Sequence, residues 1–248
     1  MLTPDSIVPN PANPQSYNRF SYAYNNPINY SDPSGHYAVC FQQGRATDDE
    51  VTALSQICQE LADSGAFGAS GVYEVFENTE DGAIEALEWL AMMLGEGGEL
   101  YGVDEPFVLV GFSWGGGAAL EFAKLLDGRI NITIDALVTI DPVLSGREEF
   151  GREFVDIQNV TIPENVDSAY NIYATEDAFG ILRPFDQGEQ NIEGALNVAM
   201  ADTNHCTIAY ESCGGIVPQQ ESSDSPINQT TLSYVKTWLD FLSFSGEW

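Results

Sequence analysis

The chain has 248 residues, and its strongest bulk property is charge, because 38 acidic residues against eight basic ones give a formal net charge of −30. A chain so acidic has no basic stripe to neutralise phosphates, which excludes nucleic acid as an expected partner. Hydrophobic residues make up 44% of the sequence, enough for a sizeable core. We interpret the acidity mainly as an adaptation for solubility or secretion.

The sequence shows neither a signal peptide nor a membrane-spanning segment. Its first residues lack the basic start and the apolar stretch of a signal peptide. No run approaches the ~20 apolar residues that are needed to cross a bilayer. We therefore expect a soluble protein that is exported, if at all, by a route not encoded at this N-terminus.

Composition divides the chain near residue 36. Residues 1–36 are rich in proline and asparagine and contain no long apolar stretch, which is typical of turns and extended segments. From residue 37 onward apolar strand patterns alternate with helical patterns, which predicts a mostly parallel sheet flanked by helices. We therefore predict a short irregular junction segment over 1–36 and an α/β domain over 37–248.

The predicted elements of the domain follow in chain order. Strands are predicted at 37–42, 72–76, 107–110, 136–140 and 169–174. Helices are predicted from a cap at Thr47 to about 61, from 81 to 94, at 118–126 and at 230–242. Residues 144–165 and 178–200 show little pattern, and we interpret them as long connections of the kind that builds lids or substrate pockets.

The predicted strand at 107–110 runs directly into a Gly-x-Ser-x-Gly pentapeptide at 111–115, and a helical pattern follows. A serine on such a turn is exposed at the end of the strand as a nucleophile. Gly111 and Gly115 leave room for the neighbouring strand and helix, where a side chain would collide. The pattern predicts that Ser113 is a catalytic nucleophile.

A serine nucleophile needs a base, and the chain has only two histidines, His36 and His205. Enzymes with this kind of serine turn carry their triad in the order serine, acid, histidine. His205 follows Ser113 in the chain and fits that order, whereas His36 precedes it. We therefore predict that His205 is the general base.

Two aspartates follow predicted strands and are candidates for the acid that orients the histidine. Asp141 ends the strand at 136–140, and Asp177 follows the strand at 169–174. The carboxyl ends of parallel strands are where ligand-facing residues collect. We favour Asp141, because Pro142 restricts the chain directly after it, and Asp177 stays the alternative.

The oxyanion of an acyl-transfer reaction needs backbone N–H donors. One is expected at Trp114, directly after the nucleophile, and the other in the loop after the first strand, where we assign Gln43. The glycine-rich segment 111–117 lacks the ending of a phosphate loop and the spacing of a dinucleotide fingerprint. We expect no cofactor.

Four cysteines are present, and none belongs to a Cys-x-x-Cys pair, so we expect no metal site. Cys40 lies in a predicted strand and Cys58 on a predicted helix face, and we interpret both as core thiols. Cys206 and Cys213 are close enough in sequence to form a disulfide in an oxidising compartment.

Residues 37–248 resemble the α/β-hydrolases of the lipase and esterase type. The resemblance is carried by the Gly-x-Ser-x-Gly turn at 111–115, by Ile140-Asp141-Pro142 and by Asn204-His205. It implies a serine esterase with Ser113, Asp141 and His205 as its triad. The first loop departs from the family, because it reads Gln-Gln-Gly at 42–44 where such enzymes often have His-Gly.

The first 36 residues resemble the end of the conserved core of Rhs-repeat proteins, which are polymorphic toxins. The matching segments are YNRFSY at 17–22, YNNPINY at 24–30 and DPSGH at 32–36. The resemblance implies that 37–248 is an effector domain joined to a larger β-rich shell and neutralised in the producer by an immunity protein. The single Asp-Pro-Ser-Gly differs from the doubled aspartate-proline motif of self-cleaving junctions.

Together these observations predict a secreted toxin effector that cleaves the carboxylic esters of lipids through an acyl-enzyme. Lipid is the substrate whose loss harms a target cell, and this step is an analogy with the family. Two alternatives stay open. One is a hydrolase of the same fold that acts on a soluble ester, thioester or amide, and the other is a non-catalytic binding module.

Overall fold

A computed structural model describes eight stretches of the chain, residues 37–42, 52–67, 71–101, 106–129, 132–143, 161–176, 191–211 and 226–245. The predicted junction segment over 1–36 lies outside these stretches. None of the helices within them combines the length and the apolar character needed to cross a bilayer.

The centre of the described structure is a six-stranded sheet in which all neighbouring strands are parallel. Its strands are β1 (Tyr37–Phe41), β2 (Val72–Phe76), β3 (Phe107–Phe112), β4 (Ile134–Ile140), β5 (Val166–Ala174) and β6 (Leu196–Met200). Their order across the sheet is β2-β1-β3-β4-β5-β6. β1 and β3 are buried along their whole length, as expected of central parallel strands that are covered on both faces.

Helices cover both faces of the sheet. They are α1 (Ala53–Asp63), α2 (Glu80–Leu94), α3 (Trp114–Arg129) and α4 (Gln229–Ser245). α1 and α4 share one apolar core with the sheet, and α2 and α3 share the other. This three-layer arrangement confirms the predicted fold class, a mostly parallel sheet flanked by helices.

Cys40 and Cys58 form a disulfide that joins β1 to α1. Our interpretation of these residues as core thiols was therefore wrong, although both are fully buried in the core below α1. Periodicity places each cysteine on the buried side of its own element, but it does not tell which side chains meet across the layer. Cys206 is also disulfide-bonded, and Cys213 lies outside the described residues.

The start of α1 differs from the prediction. The helix begins at Ala53, and Thr52 caps it with its side chain on the Ser55 backbone N–H while the Ser55 hydroxyl oxygen accepts from the Thr52 N–H. This reciprocal pair satisfies two N–H groups that the first helical turn leaves without intrahelical acceptors. Thr47, the predicted cap, lies outside the described residues.

Strand β6 lies inside a segment that we predicted to be a connection, so that prediction was wrong for Leu196–Met200. As an edge strand within the described sheet, β6 buries only Met200 completely, and Leu196 is 55% exposed. Only Asn197 interrupts its apolar residues, and five residues give too short a pattern to separate from a loop.

The parallel arrangement decides where the functional residues collect. Because β3, β4 and β5 are adjacent and run in the same direction, their carboxyl ends meet at one edge of the sheet. The residues that follow β4 therefore lie next to those that follow β3 on one side and those that follow β5 on the other. This edge of the sheet holds the predicted nucleophile and the favoured acid.

Candidate active site

Ser113 lies on a tight turn between β3 and α3. Its φ of +57° is in the left-handed region, which is unusual for a residue other than glycine. A Cβ atom on Gly111 would collide with the Gly115 carbonyl oxygen, and one on Gly115 would collide with the Phe41 carbonyl oxygen. The two glycines are required because strand, turn and helix backbones approach too closely for a side chain.

The backbone of Ser113 is fixed to the end of β4. The Ser113 N–H donates to the Ile140 carbonyl at 3.0 Å, and the Ser113 carbonyl accepts from the N–H of Val143 at 2.8 Å and of Gly116 at 3.0 Å. The hydrogen bonds with Ile140 and Val143 tie the serine to the segment that carries the favoured acid, and the one from Gly116 closes the turn into α3. The serine side chain is therefore presented from a backbone with little freedom to rotate.

Asp141 follows β4 with a φ of +42° and is fully buried. Its N–H donates to the Ile172 carbonyl of β5 at 2.6 Å, and its Oδ1 accepts from the Ala174 N–H at 2.9 Å. A buried carboxylate needs such donors, because burial without them is costly. β5 thus accepts from the backbone of Asp141 and donates to its carboxylate, so the neighbouring strand fixes both the backbone and the direction of Oδ1.

His205 connects the serine to the aspartate. Its Nε2 lies 2.8 Å from Ser113 Oγ, and its Nδ1 lies 2.6 Å from Asp141 Oδ2. An ionised carboxylate only accepts hydrogen bonds, so Nδ1 carries the proton and Nε2 is left to accept from the serine hydroxyl. The imidazole thus has the tautomer that a general base for serine requires.

The turn that carries His205 is anchored from several sides. The Thr203 carbonyl, just before it, accepts from the N–H groups of Thr175 and Glu176, which follow β5. The Thr207 carbonyl, just after it, accepts from the Asn228 side chain at 2.5 Å. The His205 turn is thereby held between the end of β5 and the start of α4.

A second contact links the same turn to α1. The Tyr210 hydroxyl oxygen accepts from the Ala53 N–H, the first residue of α1, at 2.9 Å. The imidazole itself stacks on the Phe112 ring at a centroid distance of 5.3 Å. Phe112 is the residue before the nucleophile, and its ring covers one face of the imidazole.

The site is buried at Asp141 and partly open to solvent at His205. Ser113 is 7% exposed, and the side chains of His205 and Asp141 are 21% and 0% exposed. Exposure therefore increases from the acid to the histidine, as expected if a substrate enters from the histidine side. Ser113, His205 and Asp141 form one hydrogen-bonded chain, so the structure brings together the three residues that the sequence singled out.

Of the other predicted site residues, the structure describes only Trp114. Trp114 is the first residue of α3 and is half-buried, so its backbone N–H lies at the positive end of the helix dipole beside Ser113. Gln43 and Asp177 lie outside the described residues. Within the described stretches, no group of three or more acidic, histidine or cysteine side chains is arranged to hold a metal ion.

Asp141 Oδ2 lies 2.6 Å from His205 Nδ1. The residues of the site therefore follow one another along the chain in the expected order serine, acid, histidine. Two supporting residues were not predicted from the sequence, namely Phe112 against the imidazole and Ala174 at the carboxylate. Phe112 occupies the variable position of the Gly-x-Ser-x-Gly pattern, and the Ala174 contact is made by a backbone N–H. Neither contact requires a particular residue type, so neither could have been predicted from the sequence.

The parallel sheet, its two helical layers and the serine turn between β3 and α3 define an α/β-hydrolase fold. The chain is similar in structure to an esterase of Pyrobaculum calidifontis in a monoclinic crystal form, with a TM-score of 0.52 at 16% identity, over 85% of this chain and 77% of that one. A structure of the hyperthermophilic esterase from the same archaeon gives a TM-score of 0.52 at 16% identity, over 85% and 78%.

At this level of sequence identity the similarity establishes the fold. No protein-family model matches the chain, and no curated protein matches it by sequence. The chemistry therefore has to be argued from the arrangement of its own side chains.

Proposed function

We propose that the protein is a serine hydrolase that cleaves carboxylic esters through a covalent acyl-enzyme. The observation that carries the proposal is the hydrogen-bonded chain from Ser113 Oγ to His205 at 2.8 Å and from His205 to Asp141 at 2.6 Å. This geometry couples a nucleophile, a general base and an orienting carboxylate in the order that acyl transfer uses.

In the first half of the reaction Ser113 Oγ attacks the ester carbonyl carbon while its proton passes to His205 Nε2. The carbonyl π electrons move onto the oxygen and give a tetrahedral oxyanion. When that intermediate collapses, the bond to the alcohol oxygen breaks and His205 returns the proton to the leaving alcohol. The acyl group is then esterified to Ser113.

In the second half a water molecule replaces the alcohol. His205 Nε2 takes a proton from the water as its oxygen attacks the acyl carbon, and the second tetrahedral intermediate expels Ser113 Oγ, which regains the proton. The carboxylic acid leaves and the serine is free. Asp141 stabilises the imidazolium in both halves, because its buried carboxylate lies against Nδ1.

The developing oxyanion would be stabilised by two backbone donors. We assign one to the Trp114 N–H at the start of α3, where the helix dipole favours negative charge. We assign the other to Gln43, in the segment that follows β1. A single such donor contributes roughly 10²–10³-fold to the rate in comparable sites.

We further propose that the ester is a lipid ester and that the chain is the effector end of an Rhs-type toxin, exported and restrained in its producer by an immunity protein. The support is the junction-like sequence at 17–36. The buried disulfide between Cys40 and Cys58 and the disulfide-bonded Cys206 also favour an oxidising compartment.

The experiment that tests the chemistry compares the wild type with Ser113→Ala on a panel of acyl esters of increasing chain length, below and above the micelle concentration, and on phospholipid vesicles. We expect wild-type hydrolysis that rises when the substrate aggregates, and no activity in the variant. Wild-type activity that ignores aggregation would favour a soluble ester, thioester or amide as the substrate.

Two results would overturn the proposal itself. Full activity in Ser113→Ala would exclude a serine mechanism at this site. A folded wild type that hydrolyses no ester, thioester or amide would favour the binding-module alternative. The effector role is tested separately by directing the chain to the periplasm of a bacterial host, where the wild type should stop growth and Ser113→Ala should not.

A further inference from the structure

His205 is the first residue of a short helical turn. The Asn204 carbonyl accepts from the Ile208 N–H at 2.9 Å. The Cys206 carbonyl accepts from the Tyr210 N–H at 3.1 Å. Hydrogen bonds that span four residues in this direction are those of an α-helix. Asn204 therefore occupies the position that caps the turn, directly before the proposed general base.

The Asn204 side chain satisfies the start of this turn. Its Oδ1 accepts from the Cys206 N–H at 3.0 Å and from the Thr207 N–H at 2.9 Å. N–H groups at the start of a helix have no acceptor within it. In return the Thr207 hydroxyl oxygen accepts from the Asn204 N–H at 2.8 Å, which completes the reciprocal arrangement of a capping box. Two side chains thus hold the backbone directly before and after His205.

The chain is fixed on both sides of this cap. Before it, Thr203 is buried, and its hydroxyl donates to the Met200 carbonyl at the end of β6, at 2.7 Å. After it, the Ile208 carbonyl accepts from the Thr231 hydroxyl of α4 at 2.5 Å. Asn204 lies between these two anchors, so its cap determines how the backbone at the start of the turn is oriented relative to the sheet.

The site tolerates little change in that orientation. The imidazole of His205 is hydrogen-bonded at both ring nitrogens, 2.8 Å from Ser113 Oγ and 2.6 Å from Asp141 Oδ2. Both partners are held at the strand ends by their own backbone hydrogen bonds, so they cannot follow the ring. A rotation of the His205 backbone would lengthen one contact or both, and a misplacement of about 1 Å in a catalytic site can lower the rate roughly 10²-fold.

We propose that Asn204 is a positioning residue for the general base. Together with Thr207, its side chain sets the backbone of His205 so that the imidazole reaches Ser113 Oγ and Asp141 Oδ2 at the same time. This inference rests on the proposed function. It assigns the role to the side chain of Asn204, because the Oδ1 atom is the acceptor that two N–H groups of the turn share.

The test removes the cap and then restores it. Asn204→Ala has no side-chain acceptor for the turn, whereas Asn204→Asp and Asn204→Ser keep one. Asn165→Ala is the matched control, because the Asn165 side chain also makes a hydrogen bond to the backbone, to the Ala123 carbonyl at 3.1 Å, next to the opposite end of β5.

Three quantities are measured. The first two are kcat and KM on a short-chain ester, taken at the alkaline plateau of activity, where the imidazole is neutral in every variant. The third is the proton resonance of the His205 Nδ1–H, which lies far downfield when Asp141 accepts from it. This resonance is assigned by its absence from His205→Ala.

For Asn204→Ala we expect kcat to fall roughly 10–100-fold, with KM changed less than about threefold, because a misplaced base affects proton transfer rather than substrate binding. Its Nδ1–H resonance should move upfield or disappear. Asn204→Asp and Asn204→Ser should bring kcat back to within about threefold of the wild type, and Asn165→Ala should not change it. Asn204→Gly carries the test if Asn204→Ala does not fold, because glycine is tolerated at a cap without supplying an acceptor.

The outcomes separate this inference from the proposed function. If the wild type hydrolyses esters but Asn204→Ala matches Asn165→Ala in kcat, or keeps the wild-type Nδ1–H resonance, the positioning role is wrong and the serine mechanism stands. The same conclusion follows if neither Asn204→Asp nor Asn204→Ser recovers the lost kcat. If the wild type shows no reaction of Ser113 with any acyl compound, the proposed function fails and this inference fails with it.

Discussion

Pro142 packs directly against the first turn of α3 at Gly116, since a Cβ atom added to Gly116 would lie 2.6 Å from the Cβ atom of Pro142. Gly116 is three residues after the nucleophile, and Pro142 directly follows the favoured acid. The helix that presents Ser113 and the loop that presents Asp141 are therefore one packed unit. Any change that separates them should move both groups relative to His205.

Gly116→Ala should disturb both stability and reactivity. The added methyl group must displace Pro142, and overpacking of this kind costs about 1–3 kcal/mol. We expect a lower free energy of unfolding and slower reaction of Ser113, measured by denaturant unfolding and by phosphonate labelling. Pro142→Gly removes the opposing Cβ, so the double variant should recover part of the loss; simple additivity of the two changes would contradict the proposed contact.

Asp141→Asn should preserve the fold but remove nearly all activity. Asparagine tolerates the positive φ of this position, but its NH₂ group would donate to His205 Nδ1 and favour the wrong tautomer. A loss of kcat of about 10⁴-fold is expected, measured on a short-chain ester.

The matched control for this change is Asp135→Asn. Asp135 lies near the start of β4, and its carboxylate also accepts from a backbone N–H, that of Phe107 at 2.7 Å, but at the end of the sheet opposite to Asp141. Its kcat should stay within about threefold of the wild type if only the orienting role matters. An equal loss in both variants would point to a general effect on folding and against Asp141 as the acid.

The disulfide between Cys40 and Cys58 should contribute measurably to stability. It closes a loop over a sequence separation of 18 residues, for which chain entropy gives about 3 kcal/mol. The double variant Cys40→Ala/Cys58→Ala should therefore unfold at lower denaturant concentration, while its kcat stays close to the wild-type value because neither sulfur touches the site. Equal midpoints for the two proteins would show that the bond is not formed in solution.

Asn228 should separate helix capping from support of the histidine turn. Its side-chain oxygen accepts from the N–H groups of Thr230 and Thr231, and its amide nitrogen donates to the Thr207 carbonyl. Asn228→Asp keeps a good cap for α4 but loses the donor to the turn. We expect the free energy of unfolding to fall by only about 1 kcal/mol, the contribution of the lost hydrogen bond. We expect kcat to fall by more than this loss of stability explains, because the turn that carries His205 loses a support.

The control for that variant is Asn228→Ala, which loses both functions. It should match Asn228→Asp in kcat and be less stable by about a further 1 kcal/mol. If Asn228→Asp retains wild-type kcat at unchanged stability, the hydrogen bond to Thr207 does not support the histidine.

The sequence predicted those features in which the residue type at each position is restricted by its local surroundings. The serine turn was recognisable because Gly111 and Gly115 meet backbone oxygens, and that requirement leaves a visible pattern. The order of Ser113, Asp141 and His205 sufficed to select three residues that the fold brings into one hydrogen-bonded chain. The fold class followed from apolar runs that are long enough to be read individually.

The features that the sequence did not predict depend on contacts between residues that are far apart in the chain. Cys40 and Cys58 meet across a layer, which no local pattern encodes. The start of α3 at Trp114 was missed because three consecutive glycines, 115–117, have low helix propensity, although two of them are needed where α3 touches Phe41 and Pro142. Asn78 follows a short strand and belongs to no recognisable motif. The hydrogen bond from its side chain to the Gln42 carbonyl forms only when β1 and β2 pair in the folded sheet.

Whether Ser113 is an activated nucleophile can be measured by labelling the folded wild type with a fluorophosphonate, followed by peptide mapping. A serine mechanism at this site predicts a single adduct on Ser113, formed much more slowly in His205→Ala and absent from Ser113→Ala. No adduct on the folded protein, or an adduct on another residue with Ser113 left unmodified, would contradict it.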